Sequence, residues 1–98
     1  MVIDYYQYIK SEQWYKRTES IRKRNKGICE CCNMRYGDSI HHRTYKRLGN
    51  ELDEDLIHLC DQCHKMVHRL GIFFIWPSRV EFLNQLRKEI KDEIRNIN

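Results

Sequence analysis

Apolar residues recur at helical spacing in several stretches of the chain. In the first long one, Trp14, Thr18 and Ile21 share one face of a predicted helix. Ser11 precedes this helix as an N-cap and Gly27 follows it as a stop signal. Basic side chains cover the other faces, so we expect one side of the helix to pack and the other to face solvent.

Two further helices are predicted in the C-terminal half. One runs for about ten residues from an N-cap at Asp61 to Gly71. The last begins at Ser78, which forms a capping box with Glu81. Its apolar stripe recurs at spacings of three and four: Val80, Leu83, Leu86, Ile90, Ile94 and Ile97. We expect this stripe to pack along its whole length, against the domain or, alternatively, against a second copy of the chain.

The remaining stretches are short and irregular. Residues 4–9 are predicted to form a short helical turn, and residues 29–52 a knuckle, two short strands and a loop, because the latter contain Gly and Asn and lack helical periodicity. One of these strands is Ser39-Ile40-His41. The predicted fold class is therefore α+β. At 98 residues, the chain is expected to form a single domain over 1–98.

Composition indicates that apolar packing needs help from another source. Hydrophobic residues make up 41% of the chain and charged residues 33%, so we expect a small core. A core of this size needs an additional cross-link, here called a staple, to hold the fold together. The N-terminal stretch contains Asp4 and Lys10 and no apolar leader, and the longest apolar run is Ile72 to Trp76. That run is far below the ~20 residues that cross a bilayer. We expect a soluble, cytoplasmic protein with reduced cysteines.

The cysteine spacing predicts what this staple is. Cys29-x2-Cys32 and Cys60-x2-Cys63 are two knuckles separated by 27 residues. Two such turns can present four thiolates to one ion, and a closed four-sulfur shell is typical of structural zinc. Cys31 falls inside the first knuckle and does not share this spacing, so we expect it to be a bystander.

Four of the five histidines lie in two arrays around the second knuckle. His64 and His68 are four residues apart, so they share one face of the predicted helix and can bind one metal ion. His41 and His42 end the predicted strand, where neighbouring side chains face opposite ways. We therefore expect the two to have different roles. His58 has no such partner and is expected on the surface or in a loop.

Taken together, these residues resemble the HNH endonuclease family. The resemblance covers a motif core at residues 27–70 and rests on Cys29-x2-Cys32, His41-His42-Arg43-Thr44-Tyr45, Gly49, Glu51, Asp55-Leu56, Leu59-Cys60-x2-Cys63-His64 and His68. It implies a ββα-metal finger stapled by the four-cysteine zinc site and flanked by the basic N-terminal helix and the amphipathic C-terminal helix. The paired histidine arrays are similar to the nuclease domains of DNase colicins, which generally lack the zinc frame. The region from Ser11 to Trp14 and the helix that follows look like the leader of small stand-alone HNH proteins of bacteria and phages, which implies the cytoplasm of a bacterial or phage-infected cell.

The resemblance also implies an activity and roles for five residues. It implies hydrolysis of DNA phosphodiester bonds, with His42 as the general base that activates water. His41, His64 and His68 would hold a divalent metal (Mg²⁺, Mn²⁺, Ni²⁺ or Zn²⁺) that stabilises the developing charge and the leaving oxygen. Asp55 stands where the family has an asparagine that braces the loop bearing the base. An ionised Asp can only accept hydrogen bonds, so we expect Asp55 to accept a loop N–H and to orient His42.

The net charge of +4 is concentrated in two clusters, at 16–26 and 43–47. We expect their side chains to bind the phosphates of double-stranded DNA; a solvated helix face is the alternative. The residues concerned are Lys16, Arg17, Arg22, Lys23, Arg24, Lys26, Arg43, Lys46 and Arg47. A preference for RNA, a homodimer and a larger nuclease assembly all remain open. So does the rival function of a zinc-stabilised nucleic-acid-binding module that does no chemistry.

Overall fold

The computed structural model describes residues 4–71 and 78–97. Within them the chain forms four α-helices and one two-stranded antiparallel sheet, so the α+β prediction is confirmed. The elements are α1 (Tyr5–Tyr8), α2 (Glu12–Arg24), β1 (Ser39–His42), β2 (Leu56–Leu59), α3 (Asp61–Leu70) and α4 (Arg79–Ile97), with a 3-10 turn at Asp53–Asp55 before β2. None of the helices in these two ranges is both long enough and apolar enough to cross a membrane.

Helix α2 begins where its cap predicts and ends earlier than expected. The Ser11 hydroxyl accepts the N–H of Trp14 at 3.1 Å. The helix ends at Arg24, before the predicted stop, because Lys26 and Gly27 both adopt left-handed backbone angles, with φ of 57° and 79°. These two residues turn the chain towards the first cysteine knuckle.

The hairpin β1–β2 lies between α2 on one side and α3 on the other. In its antiparallel register His41 pairs with Ile57 and His42 with Leu56. The first strand is where predicted, one residue longer, whereas β2 begins after the stretch at 29–52 that was expected to contain both strands. All four residues of β2 are buried because both of its faces are covered. The expectation that His58 lies on the surface or in a loop is therefore wrong.

Helix α3 has the predicted length of ten residues, but its cap is one residue earlier than expected. Cys60, not Asp61, is the N-cap, and its Sγ accepts the N–H of Cys63 at 3.4 Å. Gly71 ends the helix in the left-handed region with φ of 68°, as predicted. The second cysteine knuckle and the start of α3 are thus one structural unit.

Helix α4 packs against the domain over only part of its length. Ser78 caps the helix as predicted, since its hydroxyl accepts the Glu81 N–H at 3.1 Å. The Glu81 carboxylate accepts the Ser78 hydroxyl at 3.2 Å, which differs from the capping box that the sequence predicts, where it accepts the Ser78 backbone N–H. Leu83, Leu86 and the unpredicted Phe82 are buried, and Ile90 is half-buried against the same core. Val80 and Ile94 are 56% and 55% exposed, so the stripe does not pack against the domain at these two residues. The helix extends beyond the small core at both places, and the side chain of Ile97 lies outside what the structure describes.

The core is built around the cysteines. Four of its ten buried members are cysteines, and the rest come from β2, α3 and α4. They are Cys29, Cys31, Ile57, Leu59, Cys60, Cys63, Val67, Phe82, Leu83 and Leu86. So few aliphatic side chains give limited hydrophobic stabilisation.

Candidate metal centres and histidine site

The four predicted cysteines come together in one cluster. The Sγ atoms of Cys29, Cys32, Cys60 and Cys63 all lie within 4.8 Å of one another. The first knuckle is closed by Asn33, which adopts a left-handed φ of 57° and donates its N–H to the carbonyl of Cys29 at 3.1 Å. Four convergent sulfurs are the donor set of structural zinc, so the cluster is compatible with such a metal.

Three thiols in this cluster, those of Cys29, Cys60 and Cys63, have a raised pKa. The neighbouring Cys63 thiol and burial together raise the pKa of Cys29 to about 12, and burial raises the pKa of Cys60. A metal ion binds the thiolate, so it must displace these protons, and its affinity falls as the pH falls. Cys31 lies outside the cluster and packs in the core, in keeping with its expected bystander role.

A second cluster contains three of the predicted histidines. The ligating nitrogens of His41, His64 and His68 lie within 4.8 Å of one another, and the Nε2 atoms of His64 and His68 are 3.2 Å apart. The ring of Phe82 stacks on His41 with a centroid distance of 5.8 Å. His41 Nε2 is buried and has no hydrogen-bond partner. An unpartnered buried nitrogen beside two other imidazoles fits a divalent cation.

The electrostatics of this cluster favour neutral imidazoles. Burial lowers the pKa of His41 to about 3, with a further contribution from His64 and His68. Burial also lowers the pKa of His64, again helped by His68. Neutral imidazole is the form that binds metals, so the lowered pKa values of His41 and His64 favour metal binding by these two side chains at neutral pH. Three protein ligands also leave positions open for water or substrate.

His42 faces the opposite side of the hairpin, as the strand alternation predicts. Its ring stacks on Trp14 with a centroid distance of 4.8 Å and an interplanar angle of 14°. Its Nε2 lies 2.9 Å from Oε2 of Glu51, whose Oε1 accepts the hydroxyl of Tyr8 at 2.7 Å. The side chains of His42 and Glu51 are 1% and 0% exposed. The structure therefore brings His42 together with a carboxylate and aromatic rings, and not with the three-histidine cluster.

Asp55 braces the loop that follows His42. Its buried carboxylate accepts the Leu52 N–H at 3.0 Å and the Arg47 guanidinium at 2.8 Å. The hydrogen bond from Arg47 holds the pKa of Asp55 below its usual value. Its carbonyl accepts the N–H of Arg43 at 2.6 Å. The expected backbone bond is present, but the carboxylate that contacts His42 belongs to Glu51.

Glu51 is part of the motif on which the family resemblance rests, but no role was predicted for it. A signal was available, because Glu51 is the one acidic residue in the ten that follow His42, at 43–52. A histidine that is buried has few ways to orient its ring without a carboxylate or carbonyl partner. The loop between the strands had to supply that partner.

Several of the predicted DNA-binding residues are engaged inside the fold. Arg24 donates to both carboxylate oxygens of Glu30 at 3.0 and 2.8 Å and to the carbonyl of Leu56 at 2.7 Å. Arg17 donates to the carbonyl of Glu51 through two nitrogens, at 2.9 and 2.7 Å. Five of the nine have such contacts: Arg17, Arg22, Arg24, Arg43 and Arg47.

The other four predicted DNA-binding residues are exposed lysines. Lys16 and Lys23 form exposed i,i+4 ion pairs with Glu12 and Glu19. Lys26 and Lys46 are exposed. Exposed ion pairs of this kind are weak, so these side chains can exchange their partners for phosphates.

The chain was compared with protein-family models, with curated proteins and with solved structures, and none of them matches it. The features of the chain that bear on function are the four-cysteine cluster, the three-histidine cluster and the pair formed by His42 and Glu51.

Proposed function

We propose that the chain is a metal-dependent HNH endonuclease that hydrolyses the phosphodiester bonds of DNA. The observation that carries this proposal is the three-histidine cluster, with its ligating nitrogens within 4.8 Å of one another and a buried His41 Nε2 that lacks a hydrogen-bond partner. Leaving such a nitrogen unsatisfied is costly. Binding a divalent cation through His41, His64 and His68 removes that cost.

The order of the elements supports the same family. Strands β1 and β2 and helix α3 follow one another, with His41 on the first strand and His64 and His68 on the helix. This is the order that the ββα-metal finger requires. The four-cysteine cluster holds the start of α3 against the knuckle, so a zinc ion there would fix the helix that carries two of the three imidazoles.

The chemistry divides between the cation and His42. When bound, a divalent cation supplies stabilisation of negative charge on the phosphate and the leaving oxygen. Imidazole ligands favour later transition metals, so Mn²⁺, Ni²⁺ or Zn²⁺ fits this site better than Mg²⁺. His42 accepts the proton of the attacking water. Because its Nε2 is hydrogen-bonded to Glu51, Nδ1 is the atom that accepts the proton.

The burial of His42 sets a condition on this role. Its side chain is 1% exposed, and the ring of Tyr45, which is 47% exposed, lies over it with a centroid distance of 5.0 Å. Substrate binding therefore has to open a path through these surroundings before water reaches Nδ1. Catalytic contacts are often incomplete before substrate binds, so this burial is compatible with a general base.

The same burial favours the second candidate function, a zinc-stabilised nucleic-acid-binding module, or a nuclease subunit of a larger assembly, that does no chemistry alone. In that case His42 is a core histidine satisfied by Glu51. The three-histidine cluster weighs against this candidate, because nucleic-acid binding needs basic and aromatic groups and has no use for an imidazole metal site. One active centre per chain would cut one strand at a time, so double-strand cleavage would need a homodimer or two separate nicks.

The experiment is incubation of the purified chain with supercoiled plasmid under a panel of divalent metals. We expect nicked or linear plasmid with Mn²⁺ or Ni²⁺ at lower concentrations than with Mg²⁺. His64→Ala should abolish cleavage, whereas Lys65→Ala, an exposed neighbour on the same helix, should not. A folded chain that binds DNA and leaves the plasmid intact with every metal would support the binding module instead.

A further inference from the structure

We propose that Glu51 is a positioning residue for His42, whose carboxylate holds the imidazole in the tautomer with the hydrogen on Nε2 and the free lone pair on Nδ1. This inference rests on the proposed nuclease function and names the residue that prepares its base. It also gives α1 and α2 a role in the site, because both helices support Glu51.

Glu51 and His42 contact each other directly. Glu51 Oε2 lies 2.9 Å from His42 Nε2, and both side chains are buried, at 0% and 1% exposed. An ionised carboxylate can only accept hydrogen bonds, so the imidazole nitrogen facing it must carry the hydrogen. The tautomer of a neutral His42 follows from this contact.

Glu51 is itself fixed at two points. Its Oε1 accepts the Tyr8 hydroxyl at 2.7 Å, and its backbone carbonyl accepts two hydrogen bonds from Arg17, at 2.9 and 2.7 Å. Tyr8 belongs to α1 and Arg17 to α2. The carboxylate is thus held by elements outside the hairpin and α3, and it has little freedom to turn away from His42.

The charge of the carboxylate is also maintained. Burial alone raises the pKa of Glu51, but hydrogen bonds from His42 and Tyr8 outweigh it and hold the pKa below its usual value. Trp14 stacks on His42 with an interplanar angle of 14°, and this contact opposes tilting of the imidazole out of its plane. A fixed ring and a fixed tautomer are what a general base needs before substrate arrives.

A merely structural Glu51 would predict something different. If Glu51 only filled space and hydrogen-bonded in the interior, loss of its carboxylate would lower stability. The His42 tautomer and the rate of the chemical step would then stay unchanged. Glu51→Gln keeps the shape and removes the charge, and an amide can face Nε2 with either an acceptor or a donor. Tyr8→Phe keeps the ring and removes one support of the carboxylate, and it serves as the second variant if Glu51→Gln folds poorly.

The experiment combines ¹⁵N NMR of the imidazoles with steady-state kinetics on the full zinc-loaded chain. In the unaltered protein we expect His42, assigned by comparison with His42→Gln, to be in the Nε2–H tautomer without DNA or catalytic metal. Glu51→Gln should give a tautomer mixture and lower kcat by about 10- to 100-fold, the usual cost of losing an orienting partner, with KM nearly unchanged. Tyr8→Phe should shift both in the same direction by less, and the exposed Glu19→Gln should shift neither.

The outcomes separate the two proposals. An Nδ1–H tautomer in the unaltered protein overturns the positioning role of Glu51 whatever the activity. An unchanged tautomer and kcat in folded Glu51→Gln overturn it as well. A chain with the expected tautomer that cleaves no DNA with any metal overturns the nuclease proposal instead, and with it the catalytic use of the tautomer.

Discussion

The two faces of the β1–β2 hairpin treat neighbouring histidines in opposite ways. On the α3 side, His41 has an unpartnered buried Nε2 and lies among other imidazoles. On the α2 side, His42 has a carboxylate on Nε2 and aromatic rings around it. On the first face the Nε2 of His41 is available to bind a cation, whereas on the second face the Nε2 of His42 already has a hydrogen-bond partner. The difference comes from strand alternation, which sends adjacent side chains to surroundings built by different helices.

We expect the largest effect from a change in the four-cysteine cluster, the frame that supports both faces of the hairpin. Cys60→Ser takes one sulfur from the four-cysteine cluster and alters the cap of α3, so we expect a largely unfolded chain by circular dichroism. Cys31→Ser is the matched control, because Cys31 is similarly buried but lies outside the cluster, and it should fold and retain zinc. A folded Cys60→Ser chain with unchanged zinc content would show that the frame is not needed.

The next effect separates the packing of the His41 face from the surface of α4. Phe82 is fully buried and stacks on His41, so Phe82→Ala should lower the free energy of unfolding by about 3–5 kcal/mol. Val80→Ala on the same helix changes an exposed side chain and should stay within about 0.5 kcal/mol. Denaturant unfolding in excess zinc measures both, and equal losses would mean that α4 packs differently from the structure.

The aromatic shell of the His42 face should be visible in alkaline titration. Burial raises the pKa of Tyr5 to about 12 from an unfolded value near 10, with a further contribution from Tyr45, and burial also raises the pKa of Tyr8. A phenol with a raised folded pKa contributes stability that is complete below the unfolded value. This stability is lost as the pH rises from about 10 to about 12.

We therefore expect the free energy of unfolding to fall over that range, and to fall less steeply in Tyr5→Phe. Tyr36→Phe, which changes an exposed ring, should leave the slope unchanged. Tyrosinate absorbance and chemical unfolding at each pH provide the measurement. The same slope in Tyr5→Phe as in the unaltered protein would mean that Tyr5 is not part of this shell.

The smallest effect concerns the basic residues. Lys23→Ala removes an exposed cation, and each lost phosphate contact should flatten the slope of log K against log salt by about 0.9 for duplex DNA. Arg24→Ala breaks an ion pair with the buried Glu30 and should act on stability. Fluorescence anisotropy over a range of salt concentrations checks the first and thermal unfolding the second. An unchanged salt slope for Lys23→Ala, Lys26→Ala and Lys46→Ala would place the DNA surface elsewhere.

Features set by local chemistry were predictable from the sequence. The caps at Ser11 and Ser78 and the left-handed stop at Gly71 depend on residues close together in the chain. The two cysteine knuckles are far apart in the chain, but their matched spacing predicted that they would converge on one site. Strand alternation likewise predicted that His41 and His42 would face opposite ways.

Features set by distant contacts were not predictable. His58 looked exposed because its burial requires both faces of β2 to be covered, which period-two alternation does not reveal. Arg24 was predicted to bind DNA because it lies in a basic cluster. Its ion pair with Glu30 depends on the turn after α2, and the sequence pattern does not show how that turn folds. The role of Glu51 depends on its approach to His42 and Tyr8, which come from other parts of the chain.

The central claim, that His41 and His42 have different roles because they face different sides of the hairpin, is tested most directly by calorimetric titration of Mn²⁺ into zinc-loaded His41→Ala and His42→Ala, beside plasmid nicking. We predict that His41→Ala loses Mn²⁺ binding. His42→Ala should bind Mn²⁺ normally while turnover falls by roughly 10²- to 10⁴-fold, the usual contribution of a general base. Loss of Mn²⁺ binding in His42→Ala with normal binding in His41→Ala would mean that the two roles are exchanged, and normal nicking by both variants would contradict the account.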